Sequence, residues 1–189
     1  MAAIAQFKAD QIAYFEANGW RAYYDRKWLK MLQLLVRLCQ EQFHIPFPKS
    51  LLAAYYSMRA SVAWVPVDHD EQKVQAFLEK FYRLARPYSG FNFDHERVAA
   101  LELRYFAVHR QLVGEADKSE FIQVLTDLHS AIFGLSPERV RESAEWRVKA
   151  ADTVDRITGK TSTDVEDDWA KLEEYLRSCY RSIQRELNS

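Results

Sequence analysis

Glycine, proline and cysteine are all scarce in this chain of 189 residues, which has five Gly, five Pro and two Cys. An all-β fold needs many turns, and turns draw heavily on glycine and proline, so this composition disfavours it. Cys39 and Cys179 form no C-x-x-C pair and are too few for a disulfide framework. They predict free, buried thiols and a reducing compartment, so we expect the protein to be cytoplasmic.

Long apolar runs and an excess of one charge are missing as well. No stretch is long enough to span a bilayer, and the initial residues MAAIAQFKAD lack the basic region and apolar run of a signal peptide. Lys and Arg number 26 and Asp and Glu number 27, which gives a net charge of −1. These features predict neither a membrane nor a nucleic acid as a partner.

The chain has no motif that identifies a reaction. It lacks G-x-S-x-G, a glycine-rich phosphate loop and zinc-finger spacing. Its one Glu-x-x-His pair, Glu41 and His44, falls at a predicted helix end, whereas carboxylate-bridged di-iron bundles pair two such motifs. We therefore predict no metal site. The sequence leaves open whether the protein is an enzyme and which cofactor it would use.

Helical periodicity is what the chain does have. Apolar residues recur at spacings of three and four along most of its length, and no segment alternates convincingly with period two. The pattern predicts an all-α fold in which residues 1–189 form one domain of seven or eight mostly antiparallel helices. The first two helices are expected at 2–17 and 20–43, separated by Asn18-Gly19 or joined into one longer, kinked helix.

The fifth helix, expected at 96–113, is predicted to lie at the centre of this bundle. Apart from one narrow polar face, its circumference is almost wholly apolar. Glu102 and His109 fall within the apolar arc, about 20° apart in projection. Because an unpaired buried charge is costly, both side chains are expected to have partners.

The third helix predicts where one such partner lies. Between residues 51 and 64 its only charge is Arg59, which falls on the apolar side in projection. A helix this apolar is expected to be surrounded by others, so Arg59 should be partly buried and should need an acid. We expect Arg59 to pair with Glu102.

Six polar side chains therefore project where apolar ones belong: Arg59, Glu102, His109, His129, Arg147 and Asp155. One interpretation is an internal binding or enzymatic site for a small molecule with an anionic or polar head. Its catalytic candidates for proton transfer are Glu102, His109 and His129. Its predicted ligand-binding residues are Arg59 as an anion clamp, Glu102, His109, Tyr55, Tyr105, Arg147 and Asp155.

The other interpretation is that these charges are purely structural and that the protein works by contacting other proteins. One candidate surface is the basic row of the second helix, Lys27, Lys30 and Arg37, although a solvated face explains it more simply. The other is an apolar seam along the last helix, compatible with a homodimer, although packing on the chain's own core is the simpler use. The seam consists of Val165, Trp169, Leu172, Leu176, Cys179 and Ile183.

Overall fold

The computed structural model describes residues 7–189, and every regular element within that range is an α-helix. Short loops join consecutive helices, so neighbours that pack together run antiparallel. The helices are α1 (Ala9–Tyr24), α2 (Trp28–Phe43), α3 (Lys49–Trp64), α4 (Glu71–Ser89), α5 (His95–Gln111), α6 (Ser119–Phe133), α7 (Pro137–Thr158) and α8 (Val165–Asn188).

Local chemistry sets several of the helix ends. The Asp94 carboxylate accepts hydrogen bonds from the backbone N–H groups of Glu96 and Arg97, which starts α5. Gly134 ends α6 with a φ of 67°, a left-handed conformation that costs glycine little. Pro137 then occupies the first turn of α7, where no backbone N–H is required.

The helices form a closed ring. Each of them packs against the helix before it and the helix after it, and α8 packs against α1. The buried apolar side chains form one continuous cluster that runs around this ring. The first and last helices therefore meet, and helices surround the interior around the axis of the ring.

The predicted fold class is confirmed, because residues 7–189 form an all-helical bundle of eight helices. The place of the fifth helix differs from the expectation. Its main neighbours are α4 and α6, so α5 is one wall of the ring and not a central rod. Within the described residues, no helix combines the length and the apolar composition that crossing a bilayer requires.

The first helix boundary was wrong. Residues 2–6 of the helix expected at 2–17 lie outside the described range, and α1 continues through Asn18 and Gly19 to Tyr24. The turn comes later, where Arg26 adopts a φ of 57°. Gly19 is buried, and α1 packs against α2 and α8, so tertiary contacts outweigh the helix-ending tendency of Asn-Gly.

The apolar seam of α8 is covered within the chain. Five of its six residues, Trp169 through Ile183, are at most 8% exposed, and α8 packs against α7 and α1. Only Val165, at the start of the helix, is well exposed. The seam offers little free surface to a second copy, and the alternative of packing on the chain's own core accounts for it.

Candidate functional site

The ring encloses a cavity of about 480 Å³. All eight helices contribute to its wall, from Glu16 on α1 to Tyr180 on α8. Its apolar surface is largely aromatic and long-chain aliphatic. These side chains include Trp20, Met31, Leu35, Leu38, Phe43, Phe81, Phe106 and Ile132.

One end of the cavity is open and the other is closed. Four exposed wall residues lie where α1, α3 and α5 end: Tyr24, Val65, Arg110 and Val113. We call this end of the cavity the mouth. At the opposite end the aromatic wall residues Phe43 and Phe133 are buried. Six polar wall residues lie between these two rings and the mouth, and we call the part of the cavity that they line the deep end. They are Glu16, Tyr82, Glu102, His129, Arg147 and Tyr180.

The strongest polar contact of the deep end joins α1, α7 and α8. Arg147 binds Glu16 through two parallel contacts, Nη2 to Oε1 at 2.5 Å and Nη1 to Oε2 at 3.1 Å. Tyr180 donates its hydroxyl to Glu16 Oε2 at 2.5 Å. The side chains of Arg147 and Glu16 are only 14% and 8% exposed, so the two charges neutralise each other away from bulk water.

Arg147 is also held by aromatic rings. Its guanidinium carbon lies 5.6 Å from the ring centre of Trp20 and 5.8 Å from that of Tyr105. Both distances fall within the range of cation–π attraction. The nearby Glu16 carboxylate raises the pKa of Arg147 while burial lowers it, and the raised value that results keeps this side chain charged.

Glu102 has a different environment from Glu16. The Tyr82 hydroxyl donates a hydrogen bond to Glu102 Oε2, and the carboxyl makes no ion pair among the described residues. Burial raises the pKa of Glu102, although the Tyr82 hydroxyl and the charge of Arg147 both lower it. The folded chain therefore holds a proton here more tightly than the unfolded chain, and Glu102 costs stability as the pH rises through this range.

His129 is a neutral member of the deep end. The Ser143 hydroxyl donates to the Val140 carbonyl at 2.6 Å, so it must accept from His129 Nδ1, which lies 2.7 Å away. This arrangement leaves Nε2 without a proton and without a partner among the described residues. Burial lowers the pKa of His129 to about 3. A base this weak is poorly matched to proton abstraction near neutral pH, which counts against His129 as a catalytic residue.

His109 lies nearer the mouth, with its own partner. Its Nε2 is 3.0 Å and 3.1 Å from the two carboxylate oxygens of Asp155 on α7. The imidazole ring lies nearly parallel to the rings of Tyr105 and Phe121, whose centres are 6.1 Å and 5.1 Å away. Because Glu102 and His109 have separate partners on different helices, they do not converge on one ligand atom.

The expected pairing of Arg59 with Glu102 was wrong. Arg59 donates to the Tyr55 hydroxyl at 2.8 Å and lies over the rings of Tyr55 and Phe77. Neither Arg59 nor Tyr55 lines the cavity. The reason is the packing of α3, which buries small residues such as Ala53 and Ala60 and leaves Tyr55 and its larger apolar neighbours facing outward.

Five of the six inward-facing polar residues do line the cavity: Glu102, His109, His129, Arg147 and Asp155. Tyr105, expected as a wall residue, also lines it. Their roles in binding remain predictions.

Sequence reasoning missed Glu16, Tyr82 and Tyr180. The signal for Glu16 was present, because it follows Ile12 by one turn on the face of small residues that includes Ala13. Large aromatic residues elsewhere on α1 obscure this signal, although one of them, Tyr14, is 49% exposed. Tyr82 and Tyr180 lie on apolar faces, where tyrosine is indistinguishable from ordinary core packing.

Among the described residues, no serine or cysteine of the cavity wall is hydrogen-bonded to a basic side chain. Ser57 and Ser61 line the cavity, and Ser61 donates its hydroxyl to the Ser57 carbonyl. Ser143 has its proton committed to a backbone carbonyl and does not line the cavity. Cys39 does line it, but burial raises the pKa of its thiol, which disfavours the reactive thiolate. Within residues 7–189, no three His, Cys, Asp or Glu side chains are grouped so that they could hold a metal ion.

No protein-family model, curated protein or solved structure matches this chain.

We predict that breaking the buried ion pair on one side is far worse than removing both charges. Arg147→Met leaves the Glu16 carboxylate buried without a cation, and the free energy of unfolding should fall by about 3–5 kcal/mol. The double variant Glu16→Gln with Arg147→Met should recover most of this loss, because no uncompensated charge remains. Urea denaturation measures all three proteins. A loss below about 1 kcal/mol in the single variant would mean that the pair behaves as a surface contact.

The environment of His129 predicts a specific dependence of stability on pH. Below its ordinary pKa of 6.5 the unfolded chain takes up a proton that the folded chain refuses until about pH 3. Stability should therefore fall by about 1.4 kcal/mol per pH unit as the pH decreases through this window. His129→Asn, whose amide N–H can replace Nδ1–H, should lose less stability than the wild type between about pH 6.5 and about pH 5. Urea denaturation at both values tests this, and identical slopes would show that His129 titrates freely.

Proposed function

We propose that the protein binds an elongated amphipathic small molecule in the central cavity. The polar end of the ligand would lie at the deep end, and its apolar body would extend along the aromatic and aliphatic wall toward the mouth. The observation that carries this proposal is a cavity that is walled by all eight helices, is open at one end and holds a group of six polar residues in its deep end. Its volume of about 480 Å³ lies within the range of small-molecule sites.

The hollow interior lowers the stability of the fold, and this loss supports a role in binding a ligand. Protein cores are close-packed, so a void of this size gives up contacts that side chains would otherwise make. Glu102 adds to that cost, because its pKa is raised by burial and it has no ion-pair partner among the described residues. If the interior served stability alone, larger apolar side chains that fill the cavity would give a more stable fold. A ligand that fills the void and contacts the free polar groups would recover the loss.

The chemistry of the wall favours binding over catalysis. His129 is a weak base, and Ser143 lies outside the wall. Asp155 orients His109, but no serine or cysteine among the described wall residues is hydrogen-bonded to its ring. Acid–base catalysis by Glu102 alone remains compatible with the same site, since a carboxyl with a raised pKa can serve as a general acid. Either role begins with a ligand in the cavity.

We also infer that the protein functions in a reducing compartment such as the cytoplasm. Cys39 and Cys179 are both free and buried. Burial raises the pKa of both thiols, so they remain protonated and act as small apolar side chains.

Gly19 provides a direct test of the proposed cavity function. It lines the cavity, and an added Cβ would meet no heavy atom within 4 Å. Leucine at this position should lean toward the N-terminus of α1 and hence toward Glu16 and the deep end. We predict that Gly19→Leu keeps the fold but excludes a ligand, and that native mass spectrometry shows an adduct on the wild type only.

The matched control is Gly19→Ala. It should be more stable than the wild type by about 0.5–1 kcal/mol because alanine favours the helix, and it should keep the ligand. An adduct of equal abundance on all three proteins would place the ligand outside the cavity. A wild-type mass without any adduct, even after incubation with amphipathic compounds, would contradict the proposal.

A second candidate function is protein contact through the outer face of α2. Lys27, Lys30 and Arg37 are exposed there, and Leu29 beside them is 72% exposed, which is high for leucine. An exposed apolar residue within a basic row suits a partner whose acidic surface surrounds an apolar contact. Unlike the cavity, this surface could act without any small molecule.

For this candidate we predict that reversing the α2 row with Lys27→Glu, Lys30→Glu and Arg37→Glu removes a copurifying protein. The control reverses three exposed residues elsewhere, Lys73→Glu, Arg83→Glu and Arg97→Glu, and changes the net charge equally. Mass spectrometry of the copurified fraction compares both variants with the wild type. Equal loss in both variants would indicate nonspecific charge attraction.

A further inference from the structure

Glu102 is the one carboxyl in the cavity wall that lacks a basic partner among the described residues. Glu16 is bound by Arg147 through two contacts, and Asp155 is bound by His109. Glu102 receives only the Tyr82 hydroxyl on Oε2, so Oε1 is free to contact a ligand.

The cations of the deep end cannot neutralise Glu102. Arg147 acts on it electrostatically, but Nη2 of Arg147 is bound to Glu16 and Nη1 to Glu16 and Tyr180. Its Nε has no partner among the described residues, but it is buried and makes no hydrogen bond to Glu102. His129 is neutral, since burial lowers its pKa to about 3. When Glu102 ionises, the deep end therefore carries one negative charge that the chain does not balance.

Aromatic rings make up much of the wall around this charge. Trp20, Phe81 and Phe106 line the cavity together with Glu102, and Tyr82 and Tyr105 flank the carboxyl from α4 and α5. Ring faces attract cations and repel anions. A second carboxylate brought by a ligand would meet Glu102 and Glu16 with the charge of Arg147 already neutralised. An anionic head group, one of the two kinds expected from the sequence, is therefore disfavoured.

We propose that the ligand carries an aliphatic ammonium group that pairs with Glu102 in the deep end, while its apolar body lies along the cavity wall. This inference rests on the proposed function and adds the charge of the ligand. A neutral polar head is the competing class, because a protonated Glu102 could donate a hydrogen bond to it.

Proton balance separates the two classes. Because burial raises the pKa of Glu102, a larger share of this carboxyl holds its proton in the empty cavity than in water. When an ammonium ion binds, that proton passes from the carboxyl to the solvent, and an ammonium–carboxylate pair remains. A neutral head that accepts a hydrogen bond from the carboxylic acid instead leaves the proton on Glu102.

The titratable or charged groups around Glu102 come from six helices. They are Glu16 of α1, Tyr82 of α4, Tyr105 and His109 of α5, His129 of α6, Arg147 and Asp155 of α7, and Tyr180 of α8.

The experiment compares three probes with the same chain length by isothermal titration calorimetry: octylammonium, 1-octanol and octanoate. Octylammonium should bind about tenfold or more tightly than 1-octanol, because a charge-assisted hydrogen bond replaces a neutral one. Octanoate should bind most weakly. In the pH range where octylammonium affinity rises with pH, its observed binding enthalpy should depend on the ionisation enthalpy of the buffer, since a proton is released, whereas that of 1-octanol should not.

Glu102→Gln should abolish the preference for octylammonium and leave the affinity for 1-octanol essentially unchanged. In the wild type, octylammonium affinity should increase with pH through the raised pKa of Glu102 and then level off, because only the ionised carboxyl forms the pair. Glu102→Gln should remove this pH dependence as well.

Tyr82→Phe provides a second variant that keeps the charge. Without the donor to Oε2, the pKa of Glu102 should increase further, and the rise in octylammonium affinity should move to higher pH. Circular dichroism checks that each variant is folded.

Three outcomes would count against the inference in different ways. Equal binding of octylammonium and 1-octanol, with no effect of Glu102→Gln, would overturn the ammonium assignment and leave the cavity function standing. Failure of all three probes to bind the folded wild type would overturn both. Tightest binding by octanoate would assign the opposite charge to the ligand.

Discussion

The ion pair between Arg147 and Glu16 is the contact on which the rest of the structure depends. It joins α7 to α1, and Tyr180 adds α8, so three helices are tied together where the ring closes. A ring with a hollow interior cannot be held by packing at its centre, so each helix depends on its two neighbours. This way of closing the ring affects the interior, because the charges of Arg147 and Glu16 neutralise each other. The groups that a charged ligand can contact are therefore the polar side chains outside this pair.

The interior polar groups thus fall into two sets. The Glu16 carboxylate is bound by Arg147 and Tyr180, and Asp155 is bound by His109 nearer the mouth. Of the guanidinium nitrogens of Arg147, only Nε lacks a partner among the described residues, and it is buried. Glu102 retains a free carboxyl oxygen, and His129 retains an unprotonated Nε2 because Ser143 fixes the proton on Nδ1. The first set stabilises the fold, whereas the second costs stability in the absence of a ligand. The assignment of a binding role follows from this division and not from polarity alone.

Helical periodicity was enough to predict the fold class and the inward direction of Glu102, His109, His129, Arg147 and Asp155. Each of these depends only on the period of its own helix. Pairings between helices depend on which helices are neighbours, and this the sequence does not state. Arg59 was assigned to Glu102 because α3 was expected to be surrounded, yet small residues such as Ala53 make its contacts. Glu16 was missed for a related reason, since large residues on α1 outweighed the small ones that are buried.

The geometry of the ring also restricts the shape of a ligand. Glu102 precedes His109 by seven residues on α5, so it lies about 10 Å deeper along the helix axis. The closed end is filled by buried rings such as Phe43 and Phe133, which leaves the mouth as the route of entry among the described residues. A compact polar molecule that reached Glu102 would leave the apolar wall in contact with water. An elongated molecule with one polar end satisfies both regions at once, and for this reason the depth of Glu102 matters as much as its charge.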